Sequence, residues 1–317
     1  MTFSLLRTRP DGLRMFQLVL AFVWLLAAPA LSQAARVTVV LSTDSAPYQE
    51  VYQVIRAKLD DSGHTLGRLY AANLSGSALA DARLVVAVGV GAAEAVAAQS
   101  GRTPVLAVLV PRAWYQKAGQ ARLSDGGRRT VSALYLDQPF ERQVELIRLA
   151  FPDARRVGVL LSVEQRGLLD EIGAAVRARK LSLVHALLDE DERLAMPLET
   201  VLADADLLLA VPDPRVINSN TAQSLFLTSY RYRDPVLGYS RSLTRAGALL
   251  SLHSSPSQIG RQTAEWLLDA LGEAAVRLPT PSYPAYFGVS VNEQVARSLG
   301  FVVPPEGELE KRLGGGR

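Results

Sequence analysis

Short, unbroken apolar runs recur along this chain, and stretches with helical spacing separate them. Val37–Leu41, Leu84–Val88, Val105–Val110 and Val131–Leu136 are such runs in the first half, with Thr65–Tyr70 a weaker one. Val157–Leu161, Leu181–Leu187, Leu207–Val211, Pro235–Tyr239 and Leu249–Leu252 repeat the theme, and Tyr286–Val289 comes last. Runs without polar alternation suit parallel strands whose sheet is covered by helices on both faces. Between them, Val51, Val54, Ile55 and Leu59 recur with helical spacing in Tyr48–Leu59, and Val144, Leu146 and Ile147 point inward from Phe140–Ala150. Two successive series of alternating strand and helix predict two doubly wound, parallel-sheet α/β lobes. The length of 317 residues agrees, at ~150 residues per domain. Parallel crossovers are right-handed, so the C-terminal strand ends of each sheet share one edge. Ligands of open α/β sheets bind outside that edge, which places the site between the lobes.

The first 34 residues read as a separate object. Arg7, Arg9 and Arg14 precede an apolar run of 11 residues, Leu18 to Ala28. Pro29 follows, and Ser32-Gln33-Ala34 offers a small-x-small cleavage site. This is the three-part pattern of a secretory signal peptide. The competing reading is an uncleaved anchor, but Met15–Leu31 has 17 residues and contains Gln17 and Pro29, against the roughly 20 that span a bilayer. Cleavage near Ala34 would lower the net charge from +3 to +1, because three Arg and one Asp leave with the signal. An exported chain without cysteine suits a bacterial periplasm.

The absence of cysteine excludes disulfides, thiolate metal sites and thiol nucleophiles. The small net charge gives no footprint for nucleic acid. Gly89-Val90-Gly91 follows a strand as a dinucleotide fingerprint would, but Glu94 stands where the third glycine belongs. His64, His185 and His253 are far apart and have no second ligand at metal-binding spacing. Gly238-Tyr239-Ser240-Arg241-Ser242 approaches the nucleophile elbow of serine hydrolases without its last glycine. His253 follows too closely, and no acid stands between it and Ser240. No cofactor, metal or catalytic set is expected.

The strand ends carry the more informative residues. Ser42, Thr43, Asp44 and Ser45 follow the first strand, Pro111 and Arg112 the fourth, Asp137 and Gln138 the fifth. Ser162, Asp213 and Tyr239-Ser240 hold the corresponding places in the second half. Hydroxyls, a few carboxylates and an aromatic ring suit a small polar molecule held without chemistry. The expected ligand-binding residues are Thr43, Ser45 and Asp137 from one lobe, with Ser162, Asp213, Tyr239 and Ser240 from the other. Several have a purely structural reading. Ser162-Val163-Glu164-Gln165 is a capping box for a helix running to about Arg179, and Asp213 lies between two prolines as turn residues do.

The second half carries a series of motifs in a familiar order. It runs from Asp137-Gln138-Pro139 and Gln143 through Phe151-Pro152-Asp153-Ala154-Arg155-Arg156-Val157-Gly158-Val159 and Asp206-Leu207-Leu208-Leu209-Ala210. Pro212-Asp213-Pro214, Arg233-Asp234-Pro235-Val236-Leu237-Gly238-Tyr239, Ala246-Gly247-Ala248-Leu249 and Ile259-Gly260-Arg261-Gln262-Thr263-Ala264 follow. Val291-Asn292, Ala296 and Leu299-Gly300 close it. Over about Leu134–Pro304 the chain resembles the ABC transporter substrate-binding proteins, including tryptophan- and phenylalanine-binding members. The resemblance implies a type I periplasmic-binding fold with a three-crossing hinge near Leu136, Ser254–Ser255 and Thr280–Ser282. It divides the chain into a first lobe of 35–135 plus 255–281, a second of 136–254 plus 282–305, and a flexible tail of 306–317. It implies a monomeric carrier that takes a small-molecule ligand to a membrane permease–ATPase complex. A ligand-sensing partner of a membrane receptor or kinase is the alternative. The family's His-Pro segment after the first strand is here Ser42–Tyr48, and Pro111-Arg112 replaces an Asp-Pro turn. Those positions face the ligand, so the amino-acid specificity of characterised members does not carry over.

Overall fold

A computed structural model describes residues 36–189, 193–273 and 275–314; the signal-peptide reading lies outside them. Five parallel strands form the first sheet: β1 (Arg36–Leu41), β2 (Thr65–Tyr70), β3 (Leu84–Val88), β4 (Val105–Val110) and β5 (Val131–Tyr135), in the order β2-β1-β3-β4-β5. β3 and β4 have no exposed side chain, and successive residues feed opposite faces. Leu84, Val86 and Val88 enter one core; Val85 and Ala87 enter the other. This is the burial that the unbroken apolar runs require.

The second sheet has six strands in the order β11-β10-β9-β8-β6-β7. They are β6 (Arg156–Ser162), β7 (Ser182–Leu188), β8 (Leu207–Leu209), β9 (Val236–Gly238), β10 (Leu250–His253) and β11 (Gly288–Val291). β11 starts two residues later than the sequence suggests and runs antiparallel to β10. Helices α1 (Ala46–Asp60) and α2 (Val90–Ala97) belong to the first sheet; α3 (Phe140–Ala150) and α4 (Leu169–Ala178) pack on the second. The later helices are α5 (Ala195–Asp204), α6 (Ala222–Tyr232), α7 (Arg241–Ala246), α8 (Pro256–Gly272), α9 (Glu293–Leu299) and α10 (Glu306–Arg312).

The chain returns to the first sheet through α8. Ile259, Ala264, Leu267 and Leu271 enter the same core as Val51 and Ile55 of α1. Gly260 permits that approach: a Cβ there would lie 2.9 Å from the Val54 side chain and 3.0 Å from the Val51 carbonyl. The start of α8 is fixed by a capping box of Ser255 and Gln258. Segment 279–287 then leads back beside β5, where the amides of Ser282 and Tyr135 donate to the carbonyls of Ala133 and Ser282. Three segments therefore connect the two sheets, and side chains tie them together. Gln138 Nε2 donates to Ser254 Oγ at 2.8 Å, and Ser254 Oγ donates to the Tyr286 carbonyl at 2.6 Å. Arg142 Nη1 reaches both Gln138 Oε1 (2.6 Å) and the Pro284 carbonyl (3.0 Å).

Two local expectations are corrected. The tail from 306 is helical in α10, and Leu309 is 0% exposed in the core of the second sheet. Its glutamates close the outer edge of β11: Val289 N donates to Glu310 Oε1 and Val291 N to Glu306 Oε1, both at 2.8 Å. An open strand edge needs such cover. The capping box at Ser162 does not form. Val163–Leu168 is a 3₁₀ turn ahead of α4, and the Ser162 side chain makes no cap bond. Its hydroxyl serves the Glu164 carboxylate instead. The Glu164 amide and this hydroxyl hold Glu164 below its ordinary value.

Candidate functional site

In a doubly wound sheet the crevice opens where strand order reverses. In the first sheet that point lies between β1 and β3. Ser42 joins the two strand ends: its hydroxyl donates to the Val88 carbonyl at 2.9 Å and accepts from Ala92 N at 2.9 Å. Gly89, at φ +85, makes the turn into α2. A Cβ there would meet Ser42 Oγ at 2.6 Å and the Tyr48 hydroxyl at 2.9 Å. Thr43 and Ser45 are exposed on the same rim. Ser45 precedes α1, yet its hydroxyl makes no cap bond. Asp44 is engaged, with Oδ1 accepting from Tyr70 OH at 3.1 Å and from Gln49 Nε2.

In the second sheet the reversal lies between β6 and β8, and here the polar groups are buried. Asp213 is 2% exposed. Its Oδ2 accepts from Ser162 N at 2.7 Å, and its Oδ1 from Arg215 N at 3.0 Å. The carboxylate thus clamps the end of β6 to the turn after β8. Tyr239 leaves β9 half-buried, and burial, with the charge of Asp213, pushes its phenol above the ordinary value. Ser240 caps α7 by accepting from Leu243 N at 3.2 Å. His253 Nε2 shares a 2.8 Å hydrogen bond with Ser290 Oγ. Ser240 and His253 therefore serve different partners. Beyond the ends of β6 and β7 a cavity of about 500 Å³ is lined by Val163, Glu164, Arg166, Gly167 and Asp189.

A polar and aromatic cluster occupies the hinge side. β4 carries a bulge after Val108, and Leu109 is held at φ +55, a left-handed conformation rare for a bulky residue. Three residues later Arg112 N donates to Asp137 Oδ2 at 2.6 Å. Burial pushes the Asp137 carboxyl up, opposed by this amide and its own. The Arg112 guanidinium is paired with Glu171 from the first turn of α4 and lies 5.7 Å from the Tyr283 ring centroid. Burial alone would loosen its proton, but Glu171, Tyr283 and Asp137 raise it above its ordinary value. Tyr283 stacks edge-on against Tyr135 at 5.5 Å, and Tyr135 packs tilted against Tyr115 at 5.9 Å. Burial pushes the Tyr115 phenol up to about 12, and its hydroxyl has no hydrogen-bond partner.

The Arg112–Glu171 pair links the strand-end side of the first sheet to α4 of the second. Thr43, Ser45 and Asp137 stand on one side; Ser162, Asp213, Tyr239 and Ser240 stand on the other. The sequence marks none of Glu171, Tyr115, Tyr135 and Tyr283 as a site residue. Glu171 looks like any solvated helix residue, and the only signal for Tyr283 was its place in the proline-rich stretch Pro279–Pro284. Among the described residues, no cluster of His, Asp and Glu could hold a metal, and no helix is long and apolar enough to cross a membrane.

This sequence matches the ABC transporter substrate binding protein family over residues 71–306. The chain belongs to that family. The match begins in the first sheet, well before the motif series of the second half. No curated protein sequence gives a significant match. Solved structures agree on the fold of this substrate-binding family member. A conserved domain protein from Vibrio cholerae is 19% identical, with 88% of this chain and 98% of that one covered and a TM-score of 0.61. An ABC domain from Streptococcus pneumonia in complex with L-Trp is 16% identical (89% and 99% covered, TM-score 0.60). A ligand-free, open substrate binding protein with adhesive properties from Clostridium difficile is 14% identical (85% and 96% covered, TM-score 0.70). Together they show a periplasmic-binding fold with two sheets, of five and six strands.

Proposed function

We propose that the chain is the solute-capturing component of an ABC-type import system, exported to the periplasm by its N-terminal signal. It holds a small polar organic ligand between the two lobes and delivers it to a permease–ATPase complex. The observation that carries this reading is that strand order reverses in each sheet, at β1/β3 and at β6/β8, with polar groups at the C-terminal strand ends, and that Arg112–Glu171 links the two lobes. Thr43 and Ser45 would meet the ligand from the first lobe, beside Asp137. Tyr239 would bound it from the second. Ser162, Asp213 and Ser240 would shape that wall, because their polar atoms hold the backbone. The family match and the solute-binding neighbours support this reading. Binding without catalysis agrees with the site, where Ser240 and His253 are separately engaged.

A thermal-shift screen of small polar metabolites tests it. A true ligand raises the melting midpoint in proportion to RT ln(1 + [L]/Kd), about 2.7 kcal/mol at about 100 Kd. Uptake of the same compound should fall in a strain lacking the gene. Stabilising compounds whose uptake is unchanged would overturn the import reading.

A further inference from the structure

The Arg112–Glu171 pair differs from the protein's surface ion pairs. Arg56–Asp60, Arg156–Asp206 and Arg179–Glu145 each join residues of one lobe. Arg112 follows β4 of the first sheet, whereas Glu171 opens α4 of the second. Both groups are partly withdrawn from water, with side chains 18% and 33% exposed. The hinge segment adds a third member: the Tyr283 hydroxyl donates to Glu171 Oε1 at 3.5 Å, while its ring lies beside the guanidinium.

From this geometry we infer that Arg112 and Glu171 form an inter-lobe latch, which holds the lobes where the two groups meet, against wider opening, whether or not a solute is present. Arg112 is the fixed half. The bulge at Leu109 sets the direction of the chain, and the bond from its amide to Asp137 anchors the start of its turn. Glu171 is the mobile half, carried by the second lobe and partly solvated. A carboxylate and a guanidinium attract over a short range when partly desolvated, and rotation about the hinge pulls them apart. The pair therefore forms only within a narrow range of inter-lobe angle. A contact made in one arrangement and lost in the other shifts the balance between them. The latch depends on the two-lobed architecture, not on the identity of the solute or on import.

Because the chain has no cysteine, two introduced cysteines are its only thiol labelling sites. Ala72, after β2, and Arg166, after β6, are exposed and stand on the cleft-side ends of different sheets. With spin labels on A72C/R166C protein, pulsed-dipolar measurements give the distribution of inter-lobe distances without added solute. The latch predicts a short-distance population that shrinks in Glu171→Gln and in Arg112→Gln. The ratio of latched to unlatched protein should fall about fivefold in each, equivalent to about 1 kcal/mol. Exchanging the charges, Arg112→Glu together with Glu171→Arg, should restore the short distances. High salt should lengthen the parent's distances and leave those of Glu171→Gln unchanged. A Glu171→Gln distribution that superposes on the parent's would overturn the latch, as would a charge-exchanged protein as open as the single variants. Both results leave the solute-binding reading untouched.

Discussion

The two crossover points do the same topological job with opposite chemistry. At β1/β3 the rim residues Thr43 and Ser45 are exposed and make no cap bond, and a single hydroxyl, Ser42, holds the strand ends together. At β6/β8 the polar groups are buried and saturated: Asp213 accepts two amides, and Ser162 serves Glu164. The first rim therefore has groups to spare for a ligand, whereas the second is a wall whose polar atoms hold the fold. Position at a strand end marks both, and only the hydrogen-bond partners tell them apart.

The contrast can be broken by substitution. Asp213→Ala should have the largest effect, because it strands the buried amide of Ser162 and removes the clamp on the turn; we expect a loss of about 3–5 kcal/mol, read by chemical denaturation. Gly89→Ala comes next. Its positive φ and the close approach of Ser42 and Tyr48 should cost about 2–3 kcal/mol in the same assay. Ser240→Ala removes one cap and should cost about 1 kcal/mol. Thr43→Ala should change stability by less than about 0.5 kcal/mol while weakening solute binding. A stability loss at Thr43 as large as that at Asp213 would erase the distinction between the rims.

Another buried aspartate sharpens the comparison. Asp234, at the opposite edge of the second sheet, has an Oδ2 without a hydrogen-bond partner. Burial pushes its carboxyl up to about 7, with the charge of Asp206 adding and Arg156 opposing. Folding then binds a proton more tightly than the unfolded chain does. The resulting stability is full below the ordinary carboxyl range, near pH 4, and is lost as pH rises through about 7. Melting temperatures of the parent, compared with Asp234→Asn, should fall relative to the variant from about pH 5 to about pH 8. Parallel curves would show that Asp234 is ionised in the fold.

Much of the fold was legible because burial leaves a continuous signature. The apolar patterns of Leu84–Val88, Val105–Val110 and Phe140–Ala150 have the bounds of the elements they form. The misreadings share one physical cause, which is that a distant partner decides the local outcome. Ser162 looks like a cap, but its amide goes to Asp213, 51 residues away, and its hydroxyl turns to Glu164. The tail looks loose by its prolines and glycines, but Leu309 finds a core, and Glu306 and Glu310 find the amides of β11. Glu171 carried no mark in the sequence because its partner, Arg112, lies 59 residues earlier on the other lobe.

Calorimetric titration of the strongest thermal-shift compound into the parent, Thr43→Ala and Tyr239→Ala tests the placement of the site most directly. The account predicts at least about tenfold weaker binding in each variant, equivalent to about 1.4 kcal/mol, with the melting point of solute-free Thr43→Ala nearly unchanged. Unchanged affinity in both variants would contradict it, and would place the solute away from the strand ends.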